Sequence, residues 1–191
     1  MRSLGRLGTI ATVFAAAVVA GSIISRVTTS RHMAPQPIAG DFEQLAEMSG
    51  ASRVPDIRAA ASAANHVVFS ADVAVGRPPT SIWVNDIGQV IEVYGDELEV
   101  ISEIPGYGPD PLAYYRAVIE DAARDSVYLT SVQGIPGLAV EPNTDQLGTN
   151  PGLIRFELRG VSVVVTGRDM PVERLLSIAE QLSPVPPPAR G

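Results

Sequence analysis

QVIEVYGDELEVISEI, residues 89–104, decides how this chain folds. Residues 89–94 and 98–104 are two β-rich runs with the two-residue period of a strand. Val90, Glu92 and Tyr94 share one side of the first run, and Ile91 and Val93 share the other. Gly95-Asp96-Glu97 between them is a turn signal too short for a crossover, so the two runs are predicted to pair antiparallel. The pattern extends backwards. Residues 67–73 and 81–85 are further strand candidates, set off by Gly76-Arg77-Pro78-Pro79 and by the hairpin signal Asp86-Ile87-Gly88.

Forward of this block, Gly106-Tyr107-Gly108-Pro109 ends the alternation and residues 110–125 take helical spacing. Asp110 is placed to cap, Pro111 to start the first turn, and Leu112, Tyr115, Val118, Ile119 and Ala122 to form the apolar stripe. Residues 126–133 and 137–141 read as strands joined at Gly134-Ile135-Pro136, and residues 142–152 as an irregular polar loop. Residues 153–158 alternate and turn at Arg159-Gly160 into residues 161–166. A last helix over 171–182, with Asp169 as its cap, carries Val172, Leu175, Leu176, Ala179 and Leu182 on one face. Ahead of the strands, residues 41–48 predict a short helix capped by Asp41, with Phe42, Leu45 and Ala46 inward. Residues 55–65 predict a second helix, with Ser52 as its cap and Pro55 in its first turn. The fold class that follows is α+β, a curved antiparallel sheet packed against helices. No fixed-period repeat is present.

One segment stands apart. Residues 7–25, LGTIATVFAAAVVAGSIIS, carry no charge and no proline. As a helix they would reach roughly 28 Å, close to the hydrocarbon thickness of a bilayer. Arg2 and Arg6 precede the stretch and Arg26 and Arg31 follow it; Val18-Val19-Ala20 offers small residues for a cleavage site. Two readings follow, a retained single-pass anchor and a cleaved signal, and both place the remaining chain outside the cytoplasm. A buried core helix fits less well, because it would show one polar stripe where this stretch has scattered Thr and Ser. The expected organisation is therefore a signal-anchor at 1–26, a linker at 27–40, an α+β domain at 41–183 and a Pro-rich tail at 184–191.

Charge narrows the function classes. All 21 acidic residues lie between Asp41 and Glu180, against nine arginines in that span, a net of −12. Nucleic-acid binding needs a basic face, so it is excluded as an expectation, and an anionic lipid surface would repel the domain. The chain has no Cys and no Lys. That removes disulfides, thiolate metal sites, lysine Schiff bases and P-loop chemistry.

The order of the last third is a small-residue turn around Gly134-Ile135-Pro136-Gly137, then LIRFELRGVSVVVTG, then PVERLLSIAEQL. Gly160 and Gly167 bracket an apolar strand, and the helix ends in Ile178-Ala179-Glu180-Gln181-Leu182. Over about 50 residues this resembles the C-terminal part of bacterial extracytoplasmic domains of unknown function. Those domains are anchored by one N-terminal helix and grouped with sigma-factor-regulator sensors and lipoprotein-carrier-like folds. The resemblance implies a sheet packed on helices, with binding or regulation as the role, and it carries over no functional residue.

Motifs for chemistry are few. His32 and His66 have no helical-spacing partner and read as solvated or capping residues. There is no G-x-S-x-G elbow. Glu92, Asp96, Glu97, Glu99 and Glu103 form the densest carboxylate cluster, and a hydrolase would need two of them in one cleft. The even spacing of Glu97, Glu99 and Glu103 instead suggests a solvated outer sheet face. Glu141 and Asp145 lack the alternating ligand spacing of a calcium loop. No metal or other cofactor is expected. Aromatic residues are scarce, and Trp83, Tyr94, Tyr107, Tyr114 and Tyr115 are the candidate groove for a ligand or partner between sheet and helix. The expected role is a membrane-anchored extracytoplasmic binding, sensing or regulatory domain without catalysis, taking a protein or a small apolar ligand. The alternatives are a carrier of lipid or lipoprotein, with Trp83, Val93, Val100, Ile119 and Leu176 lining one cavity, and a carboxylate-dependent hydrolase.

Overall fold

A computed structural model of the chain describes residues 42–122, 125–145 and 148–189. In chain order the elements are α1 (Phe42–Met48), β1 (Ser52–Val54), α2 (Ile57–Ala64), β2 (Val68–Ser70), α3 (Asp72–Val75), β3 (Ser81–Val84), β4 (Val90–Tyr94), β5 (Leu98–Glu103), α4 (Pro111–Ala122), β6 (Val127–Val132), β7 (Ile135–Val140), β8 (Asn143–Asp145), β9 (Gly148–Asn150), β10 (Gly152–Leu158), β11 (Val161–Gly167), α5 (Val172–Ala179) and β12 (Ser183–Val185).

The 89–104 hairpin forms as its alternation requires, with Tyr94 opposite Leu98, Ile91 opposite Ile101 and Gly95 at φ +65° in the turn. It lies inside one eight-stranded sheet of order β1-β3-β4-β5-β11-β10-β7-β6, in which every pairing is antiparallel. The fold is α+β. The sheet consists of two runs of neighbouring strands, joined where β5 pairs with β11, Glu103 opposite Ser162 and Glu99 opposite Thr166.

Helices cover both faces. On one, α5 buries Val172, Leu175, Ile178 and Ala179 against Leu98, Val100, Ile154, Phe156, Val163 and Val165. On the other, α1 buries Phe42 and Ala46 against Ile91, Val93, Ile101, Leu153 and Val164. Farther along that second face, α4 lies over β6 and β7. Phe42 alone, at 2 % exposure, is worth about 1.5–3 kcal/mol of transfer free energy, enough to matter for a two-turn helix.

The close seat of α5 depends on glycine. Gly152 and Gly167 face each other across β10 and β11. A Cβ on Gly167 would meet Leu175 Cδ2 at 2.7 Å and Met170 Cβ at 2.8 Å, and one on Gly152 would meet the Met170 carbonyl oxygen at 3.0 Å. This pair lets the helix touch the strand backbone.

Several local expectations are corrected. Residues 67–73 do not form one strand, because the chain turns into α3 after Ser70. The cap of α2 is Asp56, which accepts the Ala59 N–H at 2.8 Å, whereas Ser52 belongs to β1. Asp169 does not cap α5; it sits at φ +54° in the preceding turn, and Pro171 holds the cap position. Residues 142–152 contain the β8–β9 hairpin. The tail at Pro184 is a strand, paired with Phe69 of β2, where the missing proline N–H costs nothing on the unpaired edge. The segment at 7–25 and the linker at 27–40 lie outside the described residues; among the described residues, no helix is long and apolar enough to cross a membrane.

Gly167→Ala is expected to lower stability by about 1–3 kcal/mol through overpacking against α5. Thermal unfolding should show a Tm drop of several degrees. An unchanged Tm would mean that α5 does not depend on this contact.

Candidate functional site

Strand alternation places the acids of β4 and β5 on opposite faces; the expectation of a solvated face is wrong for Glu99 and Glu103, and Glu92 is buried as well. Glu92 is 0 % exposed, Glu99 1 % and Glu103 5 %, while Asp96 and Glu97 in the turn are exposed. β4 and β5 are interior strands with helices above and below, and an alternating pattern does not say which side meets water.

Glu92 lies on the α5 side. Its Oε2 accepts the Tyr94 hydroxyl at 2.5 Å, the Ser70 hydroxyl at 3.1 Å and the Ala71 N–H at 3.4 Å. Burial raises its pKa to about 7 against these hydrogen bonds, which favour the anion. Burial also pushes the Tyr94 phenol upward. Glu99 lies on the other face, in a cross-strand pair with Thr166, and burial raises it to about 8. It is mostly a neutral acid at pH 7.

Glu103 is handled by a partner. The Arg155 guanidinium donates to Glu103 Oε1, with the two side chains 11 % and 7 % exposed, and Gln89 Nε2 donates to Oε2 at 2.7 Å. Arg155 reaches Glu103 because β10 and β5 flank β11, with Arg155 opposite Val164 and Val164 opposite Ile101. Arg155 Nη1 also donates to the Tyr114 hydroxyl at 3.3 Å.

Three tyrosines close over this pair. The Asp110 side chain accepts the Ala113 N–H at 3.1 Å and fixes the start of α4. Consecutive helix positions diverge by about 100°, so Tyr115 points down and is fully buried while Tyr114 lies along the flank toward Arg155. Tyr107, from the segment between β5 and α4, stacks on Tyr114 with centroids 4.4 Å apart and planes within 3°. Tyr115 is tilted against both, at 6.3 Å and 5.8 Å. The Arg155 guanidinium carbon is 5.9 Å from the Tyr107 ring centre. The Tyr107 and Tyr115 hydroxyls are buried beside each other, with Ser162 next to Tyr107, and Arg155 Nε is buried without a hydrogen-bond partner. Burial raises the pKa of both phenols, so they stay protonated donors at neutral pH.

Of the five aromatics expected to form one groove, Tyr107, Tyr114 and Tyr115 come together. Trp83 does not join them: it packs in the Phe42 cluster from β3, four strands from β10 and thus roughly 19 Å away. Tyr94 lies on the opposite face, bonded to Glu92. The cavity expected for a carrier is not one space either, because Val93 and Trp83 belong to the α1 face and Val100 and Leu176 to the α5 face. Glu99 and Glu103 share a face but stand four residues apart, roughly 13 Å, wider than paired glycosidase carboxylates. Glu141 accepts the Tyr128 hydroxyl at 2.5 Å, which pushes that phenol up to about 12. Among the described residues, no three His, Asp or Glu gather as a metal site. His66 is buried, its ring nitrogens 2.7 Å and 2.8 Å from the carbonyl oxygens of Val67 and Gly88, and His32 lies outside the described residues. Arg155, Gln89 and Ser162 were missed by sequence reasoning, and Glu103 was read only as one of a carboxylate cluster on a solvated face. The available signal was Arg155 itself, a cation between Ile154 and Phe156.

Two outcomes are expected. Glu92 and Glu99 hold protons in the folded chain that the unfolded chain has lost. Their stabilising contribution is complete below pH 4.5 and is lost as pH rises through about 7 and 8. Denaturant unfolding should therefore show higher stability at pH 5 than at pH 8.5, and Glu99→Gln should reduce that difference. Separately, Arg155→Met leaves the Glu103 carboxylate buried and unpaired and should cost about 3–5 kcal/mol. The double change Arg155→Met with Glu103→Leu should recover most of that loss. No protein-family model, curated protein sequence or solved structure matches this chain.

Proposed function

We propose that the chain is a membrane-tethered extracytoplasmic binding or regulatory domain that works without catalysis, and that it receives its partner at the tyrosine corner over Arg155. The observation that carries this reading is the stacked Tyr107–Tyr114 pair lying beside the Arg155 guanidinium, which is itself paired with Glu103. Such a corner offers a flat aromatic surface with a guanidinium at one end. That suits an aromatic or aliphatic side chain of a protein partner, or a small apolar ligand with one polar end.

The uncharged stretch at 7–25 and the acidic remainder support the tether and the location outside the cytoplasm. The resemblance of the last third to anchored sensor and carrier-like domains supports regulation over chemistry. The acids give hydrolysis no support, since Glu92 and Glu103 are each engaged by neighbours and lie on opposite faces.

A photo-crosslinking side chain placed at Tyr114 of the full-length chain in cells should give a discrete adduct in the membrane fraction. The same group at exposed Asp86 should not. Equal labelling from both positions, or recovery of the chain in the cytosol, would overturn the reading.

A further inference from the structure

The two edges of the eight-stranded sheet differ. β1 is three residues long, carries Arg53 and is followed by Pro55, and the Arg53 guanidinium donates to the Thr80 carbonyl at 2.9 Å. Short length, charge and proline are the usual protections of an edge strand. β6 has none of them. It reads VYLTSV, six residues without charge, proline or bulge, and Leu129 is 41 % exposed.

The hairpin fixes which β6 groups point outward. Gln133 and Gly134, at φ +52° and +78°, make a two-residue turn of the primed type, closed by Val132 opposite Ile135. The closing pair of such a turn is hydrogen-bonded, so Val132, Thr130 and Tyr128 bond to β7. Two observations agree with this parity: Pro136, which has no N–H, faces Ser131 at a non-bonded position, and the Glu141 N–H donates to the Ser126 carbonyl at 2.9 Å. The N–H and C=O groups of Val127, Leu129 and Ser131 therefore face away from the sheet.

We propose that β6 pairs with β6 of a second copy of this chain, antiparallel about a two-fold axis at Leu129. That register sets Leu129 against Leu129 of the other copy and Val127 against Ser131. About six backbone hydrogen bonds form. The strand is self-complementary in hydrogen bonding and free of charge, so no like charges meet along the paired strands. Because β1 is blocked, the eight-stranded sheet keeps one open edge, and pairing through it closes as a dimer and does not propagate. The helix above the edge fits the same occupant. Tyr114 marks the flank of α4 that faces Arg155 and the sheet centre, so Leu112 and Ile119, half-buried on the other flank, lie toward β6. The two-fold brings that flank against its own copy. A single strand pair and one helix flank make a small interface, so micromolar affinity is expected.

The test is sedimentation equilibrium of the full-length chain in density-matched detergent, from low to high micromolar. The wild type should shift from monomer to dimer. Leu129→Lys, which sets two ammonium groups face to face at an exposed position, should weaken dimerisation about tenfold or more with an unchanged Tm. Arg53→Glu, at the opposite edge, should leave the mass unchanged. Because the chain has no Cys, Leu129→Cys can form a disulfide or a short bismaleimide link only between chains; it should yield a covalent dimer, and Arg53→Cys should not. A wild type that remains monomeric, a Leu129→Lys chain that dimerises as the wild type does, or a Leu129→Cys chain that links in cells only to foreign proteins would each overturn the proposal.

Discussion

The pairing of β5 with β11 is the constraint on which the rest of this structure depends. It joins two locally formed sets of strands across some 60 residues of chain, and a loop of that length is closed only at an entropic cost that grows slowly with length. What offsets the cost is a continuous apolar surface on each side. Val163 and Val165 reach α5 on one face, and Val164 reaches α1 on the other. The same junction sets Glu103 beside Ser162, brings Arg155 within reach from β10, and puts Glu99 against Thr166. The polar groups buried along this junction are therefore placed by non-local contact, and folding should be slow for the chain length.

Those buried groups fix register. A strand that slips by one residue turns its whole pattern over. For β5, a slip would move Glu103 away from Arg155 and present Leu98 and Val100 to the wrong layer. Glu92, with Tyr94, Ser70 and Ala71 around one oxygen, anchors the small β2–β12 sheet to the large one in the same way. Burying these acids lowers stability, and the arrangement tolerates it because Glu92 and Glu99 can remain neutral.

Local structure was legible wherever a side-chain period and a turn residue agreed. The 89–104 hairpin, α4 with Asp110 and Pro111, and the β10–β11 pair around Arg159-Gly160 all follow from the residues alone. The reading failed where the deciding contact is distant in sequence. Alternation in 98–104 identified a strand with Glu99, Glu103 and Ile101 on one side, yet nothing local states that α1 and α4 cover that side. Pro184 looked like a tail because proline opposes a central strand, whereas its partner Phe69 lies over a hundred residues earlier. Of the candidate groove, Tyr107, Tyr114 and Tyr115 were recoverable because they are close in sequence. Trp83 and Tyr94 were misassigned because strand order and strand face, not spacing, decide where they go.

Trp83 has a separate use. It is the sole tryptophan of the chain, and it is half-buried in the cluster built around Phe42 of α1, with its indole N–H held by the Ser81 hydroxyl at 2.9 Å. α1 is also the first described element after the stretch expected to carry the tether. The emission of that one fluorophore is therefore a built-in optical gauge of whether α1 is seated on the sheet, readable without any added label.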